Sequence, residues 1–264
     1  MSSLEGNANR VLIWSLTVLG LIVIYAPPLY LLGASFNPAL QPGLPQLGDM
    51  TLKWYAALPA DRALISALQE SLLVAIVTAS LATGLSLLAA LAYFELHKTR
   101  ATWFMSVILP MFVPGVIQGL ALSTVFSHMG IKPSANTIVA GHLLWAMPFA
   151  FIVILTSFSA VRPAYLMAAA DLGASKWRQF RDVTLPLIRP GLISAFIFSF
   201  LLSLNEFTRA FYLAGRQNTL PVVLFGKMNG GASPVIYAMS GSIFIVSVFL
   251  VAIIVAVSGK KRAA

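Results

Sequence analysis

A succession of long apolar stretches, separated by short polar turns, limits this chain to one kind of fold. Residues 11–32, 67–94, 103–128, 137–158, 187–211 and 235–257 each form such a stretch. Each has the roughly 20-residue length that an α-helix needs to cross a bilayer. Of the 264 residues 59% are hydrophobic and only 9% are charged, proportions that no soluble domain of this length shows. The expected fold class is therefore an all-α membrane protein with six transmembrane helices. The first stretch is too long for the apolar core of a signal peptide, so it reads as a retained helix. Residues 1–10 are polar and read as disordered.

Charge sets the orientation. The chain carries a net charge of +9, which in a soluble protein would suggest nucleic acid but in a membrane protein reflects basic cytoplasmic loops. Six spans place both termini on one side. Arg10, Lys98, Arg100, Arg162, Lys176, Arg178, Arg181, Arg189, Lys260, Lys261 and Arg262 fall on that side. Lys53, Arg62, Lys132, Arg209, Arg216 and Lys227 fall on the other side or at its span ends. The bias puts both termini of this multi-pass membrane protein, and the 162–190 loop, in the cytoplasm. With no cysteine, disulfides, thiolate metal sites and cysteine nucleophiles are excluded. No phosphate-binding Gly-x-x-x-x-Gly-Lys-Ser/Thr loop occurs, so the chain does not bind ATP by that route. The three histidines are scattered, and no nucleophile stands beside a base. No catalytic residue, metal site or cofactor is expected in the chain itself.

The most informative polar interruption, residues 162–190, predicts a short helix, a break at Gly173 and a second short helix. Pro163 suits a first helical turn. Gly173 suits a left-handed cap, and Ser175 can cap the second helix through its hydroxyl. Leu185-Pro186 is expected to stop the second helix and begin the next span. Small residues (Ala168, Ala169, Ala170, Gly173, Ala174) would let another protein approach this backbone closely. The same segment reads equally as a plain surface loop.

Inside the spans, polar residues are costly and mark candidates. Gln118 lies near a break expected from Pro110, Pro114, Gly115 and Gly119; it either lines a pathway or packs between helices. Irregular backbone at that depth must be buried or face a watery cavity. Span five carries Ser199, Ser203, Asn205, Glu206 and Arg209. Glu206 and Arg209 lie three apart on one helical face and either pair structurally or, with Asn205 and Ser203, line a translocation path. His142 reads as a membrane-interface histidine and His97 as a solvated one. Trp54 and Tyr55 read as interfacial anchors, with docking of a partner as the alternative. Ser71, Ala75, Ala79, Ala82, Gly84 and Ser86 give span two small packing faces.

The 162–190 segment resembles the cytoplasmic coupling loop of binding-protein-dependent ABC importer permeases. That family's pattern runs Glu-Ala-Ala, three residues, Gly, then Ile-x-Leu-Pro. Ala168-Ala169, Asp171-Leu172-Gly173-Ala174-Ser175 and Leu185-Pro186 match it in type and spacing. The family's glutamate, which helps anchor the loop on the ATPase subunit, falls on Met167. Ser35-Phe36-Asn37 after the first span, and Thr219-Leu220-Pro221 with Ser233-Pro234, are similar to the family as well. The resemblance implies a type I importer permease architecture over residues 67–258. Before it lie a tail, first helix and periplasmic loop at 1–66, and after it a basic tail at 259–264. It implies ATPase coupling through Met167, Ala168, Ala169, Asp171, Leu172, Gly173, Ala174 and Ser175. Its implied partners are an ABC ATPase dimer that binds ATP and Mg²⁺, a second permease, a solute-binding protein outside and membrane lipid. Nucleic acid is not among them. Ser203-Leu204-Asn205-Glu206 and Thr219-Leu220-Pro221 resemble the polyamine-type branch, whose habit is a second permease that is a different chain. Where those relatives carry two acidic residues, only Glu206 is acidic here, which suits a solute with one amine or a zwitterion such as an opine or amino-acid derivative. The rival function is an ion-coupled secondary transporter working without an ATPase. It would call for intramembrane acidic or histidine relays and an internal repeat, and Glu206 is the one clear acidic candidate. An intramembrane enzyme would need a paired carboxylate, a histidine cluster or a Ser–His pair, and the spans show none.

Overall fold

The structure, a computed structural model, describes residues 2–41, 43–46, 48–230 and 234–259. The expected tail residues Lys260, Lys261 and Arg262, and Ser233 of the Ser-Pro pair, lie outside the described residues. The helices in chain order are α1 (Ser2–Ala34), α2 (Lys53–Ala57), α3 (Arg62–Glu95), α4 (Arg100–Ile108), α5 (Gly115–His128) and α6 (Ala135–Ser157). They continue as α7 (Pro163–Asp171), α8 (Lys176–Arg178), α9 (Leu185–Leu204), α10 (Thr208–Leu213), α11 (Leu220–Asn229) and α12 (Pro234–Gly259). No strand occurs among the described residues. Five helical stretches are long and apolar enough to cross a membrane. A sixth, Arg100–Phe112 with Gly115–His128, is bent by 96° at its centre. The expected break in span three is therefore real. Helix α1 begins at Ser2 rather than near residue 11, so residues 2–10 are not the irregular tail expected. It also runs on through Pro27 and Pro28.

The chain forms two compact units. In the first, residues 1–61 with 226–246, the loop after α1 is braced by the aromatic pair that starts α2. Trp54 donates its indole N–H to the Asn37 carbonyl at 2.6 Å, and the Tyr55 hydroxyl sits 2.6 Å from Ser35 Oγ. Both rings are half-buried, so they work as struts of this loop as well as amphipathic side chains. Lys227 pairs with Asp61 at 2.8 Å.

The second unit, Arg62–Phe225 with the chain from Ser247 on, is built on α3, α6 and α9. These helices pack through small residues, as the pattern of span two required. Ser71, Ala75, Ala79, Ala82 and Ser86 are all buried on one face of α3. Gly84 is exposed instead, since at 3.6 residues per turn it lies off that face. With no bulky side chains between them, backbones meet closely, and Ser86 Oγ donates to the Met147 carbonyl across the α3–α6 contact. Phe151 and Ile154 of α6 fill what remains, against Ala90, Ala146, Ala150 and Ala195.

Span five is the main departure from expectation. It does not begin afresh at Pro186 and does not run unbroken to Phe211. A continuous helical stretch runs Lys176–Leu204, and its segment Gln179–Thr184 is wound as a π-helix. A proline ring in an α-helix clashes with the carbonyl four residues before it. The wider π turn directly precedes Pro186, and the helix continues through it and through Pro190. At the other end the helix stops at Leu204, and α10 starts only at Thr208.

Candidate functional site

Two regions collect the candidate residues. The first is the elbow of α7 and α8. Arg162 is the N-cap and Pro163 the first helical residue of α7. At the far end Gly173 adopts φ +79°, the left-handed region. Its N–H donates to the Ala170 carbonyl at 2.8 Å and that of Ala174 to Ala169 at 2.9 Å, the paired bonds of a Schellman cap. Ser175 Oγ accepts from Arg178 N at 3.4 Å, and Gln179 Nε2 donates to the Ala174 carbonyl at 2.9 Å. The elbow is thus held by backbone and side-chain bonds within its own segment. Gly173→Ala is expected to cost about 1–2 kcal/mol at this turn; faster hydrogen exchange over residues 168–176 would register it.

None of α7 is buried. Met167, Ala168, Asp171, Leu172 and Ser175 are exposed, and Ala169 and Ala174 half-buried. Leu172, at the apex, is 90% exposed, and Met167 and Trp177 are close to two-thirds exposed. A rigid elbow with bare Met, Leu and Trp side chains offers a partner an apolar anchor within a basic surround.

The second region surrounds the break after α9. Glu206 does not lie on a continuous helix with Arg209. It precedes α10, and its Oε1 accepts the Arg209 backbone N–H at 2.9 Å while Oε2 accepts from Nη1 at 3.0 Å. The carboxylate thus caps the first turn of α10 and pairs with that turn's guanidinium. A negative group is favoured at a helix start for both reasons. The two side chains are 4% (Arg209) and 10% (Glu206) exposed. Arg209 Nε donates to Gln118 Oε1 at 2.7 Å, and the guanidinium carbon lies 4.8 Å from the centre of the Trp145 ring. Gln118, Glu206 and Arg209 therefore form one buried cluster. Of the two roles open to Glu206 and Arg209, the salt bridge is present; Gln118 and Trp145 complete it.

Ser203 and Asn205 stand apart from that cluster. Ser203 Oγ lies 2.7 Å from Nδ1 of His142, which is fully buried. His142 is thus an internal residue of the α6–α9 contact and not an interfacial one. Its Nε2, like Ser199 Oγ, has no hydrogen-bond partner among the described residues. Asn205 is exposed at the break and donates to the Leu201 carbonyl of its own helix at 2.9 Å. His97 is exposed, as expected. Sequence reasoning missed Trp145 and the termination of α9. No local signal marks the latter, since Asn205 ends α9 at φ −98° and not in the left-handed conformation by which Asn caps helices.

Comparison with known proteins settles the class. Residues 82–263 match the family described as binding-protein-dependent transport system inner membrane component, and the chain belongs to it. It is a permease component of an ABC importer and a multi-pass inner-membrane protein, not an enzyme. The spermidine/putrescine transport system permease protein PotC of Escherichia coli K12 is 28% identical over 86% of each chain. The putrescine transport system permease protein PotI of the same strain is 29% identical over 86% of this chain and 84% of its own. Among solved structures, a chain of a bacterial ABC transporter involved in import of the acidic polysaccharide alginate aligns over 98% of each chain, with TM-score 0.69 and 18% identity. The MetNI methionine ABC transporter aligns over 78% of this chain and 97% of its own, with TM-score 0.62 and 17% identity.

Proposed function

We propose that this chain forms half of the translocation pathway for a small amine-bearing solute, a polyamine or an opine- or amino-acid-like compound. In this reading the elbow and both termini face the cytoplasm, where Leu172 and Met167 dock on an ATPase subunit. ATP and Mg²⁺ are held by that ATPase and its copy. The second permease is a different chain, and a solute-binding protein delivers the solute from outside.

The observation that carries the reading is the broken helix at Asn205-Glu206. Irregular backbone within a membrane bundle persists where it is buried in protein or borders a watery cavity. Here exposed Asn205 and the Glu206 carboxylate stand at such a break. The permeases PotC and PotI, which act on putrescine or spermidine by name, support an amine as the solute. The Arg209 guanidinium matches the Glu206 charge, which favours a solute that also carries an anionic group over a bare polycation. Glu206→Gln keeps one of the two acceptor oxygens that Arg209 uses and removes the charge. Uptake per assembled complex, tested with putrescine, spermidine and an amino acid derivative in the complete transporter, is expected to fall about tenfold or more, as loss of one charge-assisted bond implies. Unchanged uptake of every solute carried would remove Glu206 from the pathway.

A further inference from the structure

The two breaks of the second unit are joined by one continuous run of polar contacts. In the first, the Pro110 carbonyl would accept in a regular helix from the N–H of residue 114. That residue is proline and has none. Gln118 Nε2 supplies a donor to the Pro110 carbonyl in its place, alongside the Val113 N–H at 3.2 Å. The same amide's Oε1 accepts from Arg209 Nε, and Arg209 Nη1 reaches Glu206 at the second break. Packing reinforces the run. A Cβ on Gly115 would stand 3.1 Å from Arg209 Nη1, and one on Gly119 would stand 2.8 Å from the Tyr212 ring. A Cβ on Gly141 would collide with Leu213. Helix α10 therefore sits in a groove that glycines of α5 and α6 keep open. Its far end is held where Thr137 Oγ1 donates to the Leu213 carbonyl at 2.8 Å.

We propose that Arg209 is a positioning residue that ties the break after Pro110 to the break after Leu204, so that both shift together when the pathway opens. This rests on the reading of Asn205 and Glu206 as pathway residues. A buried and satisfied polar network is stiff and keeps its members in register. Coupling passes between sites when packed elements with discrete arrangements share such contacts. The solute-facing side of one break is thereby set by the other, 91 residues away in sequence.

Hydrogen exchange of the assembled transporter, followed by mass spectrometry over residues 109–119 and 203–213, tests the tie. Arg209→Gln is expected to speed exchange about tenfold in both segments, whereas a local packing role would affect 203–213 alone. Gln118→Met, placed at the other break, is expected to do the same in reverse and to add little when combined with Arg209→Gln. In the parent transporter, trapping with ATP and vanadate should change protection of both segments together, and in the variants the two should separate. Faster exchange confined to the mutated break, in either variant, would overturn the proposal. If Arg209→Gln fails to assemble, the Gln118→Met result at 203–213 decides alone. Failure of the pathway reading looks different: Glu206→Gln would then leave uptake intact while the two segments still respond together.

Discussion

Arg209→Met is expected to lower the yield of assembled transporter steeply, by the equivalent of about 3–5 kcal/mol, the cost of leaving one member of a buried ion pair alone. The methionine keeps most of the apolar stem but removes every donor. Glu206 would keep only the Arg209-position backbone N–H as a partner. Gln118 Oε1 would lose its donor and the Trp145 ring its cation. The converse change is milder. In Glu206→Gln the guanidinium still has Gln118, Trp145 and an amide oxygen. Combining Arg209→Met with Glu206→Gln removes the uncompensated charge, so the double variant is expected to recover much of the yield. Thermal stability of the purified complex, read across the four members of this cycle, measures the coupling. If the double variant loses as much as the two single variants summed, the pair contributes nothing beyond its separate residues.

Leu172→Asp is expected to produce the opposite profile: a chain that folds and inserts normally but transports poorly. At 90% exposure the side chain contributes nothing to the chain's own packing, and surface changes of this kind usually lie within about 0.5 kcal/mol in stability. As the apolar apex of a docking elbow it would be an interface anchor, where loss costs about 2 kcal/mol or more. That corresponds to roughly thirtyfold weaker engagement of the ATPase. The checking measurement pairs uptake with recovery of the ATPase subunit on the tagged chain. Full uptake with full recovery would move the docking contact elsewhere on the elbow, with Met167 and Trp177 the next exposed apolar side chains to test.

Much of the molecule was legible in residue order because bilayer physics is severe. Length and apolarity specify crossing helices, prolines at 110 and 114 announce a break, and Gly173 requires a left-handed turn. Each is a local property that needs no neighbour to decide it. The elbow belongs to this class too, since its Schellman cap and its Ser175 cap are formed within a few residues. Its exposed surface comes from the same pattern of small and apolar residues.

What only the tertiary structure decided lies in contacts between residues far apart in sequence. Periodicity extends span five through Glu206, because apolar residues continue past it and nothing local forbids the helix. The helix stops where it does because Glu206 can cap α10, and because α10 finds a glycine-lined groove on α5 and α6. Buried His142 is explained only by Ser203 across the helix contact, 61 residues away. Gln118 and Arg209 are separated by 91 residues, and no spacing rule connects them. Sequence by itself determined which segments cross the membrane and where the backbone must turn, since those depend on each residue's own preference for lipid, water or dihedral angle. The tertiary structure decided which polar side chains share a partner, since a buried charge is stabilised only by the particular groups that packing brings against it.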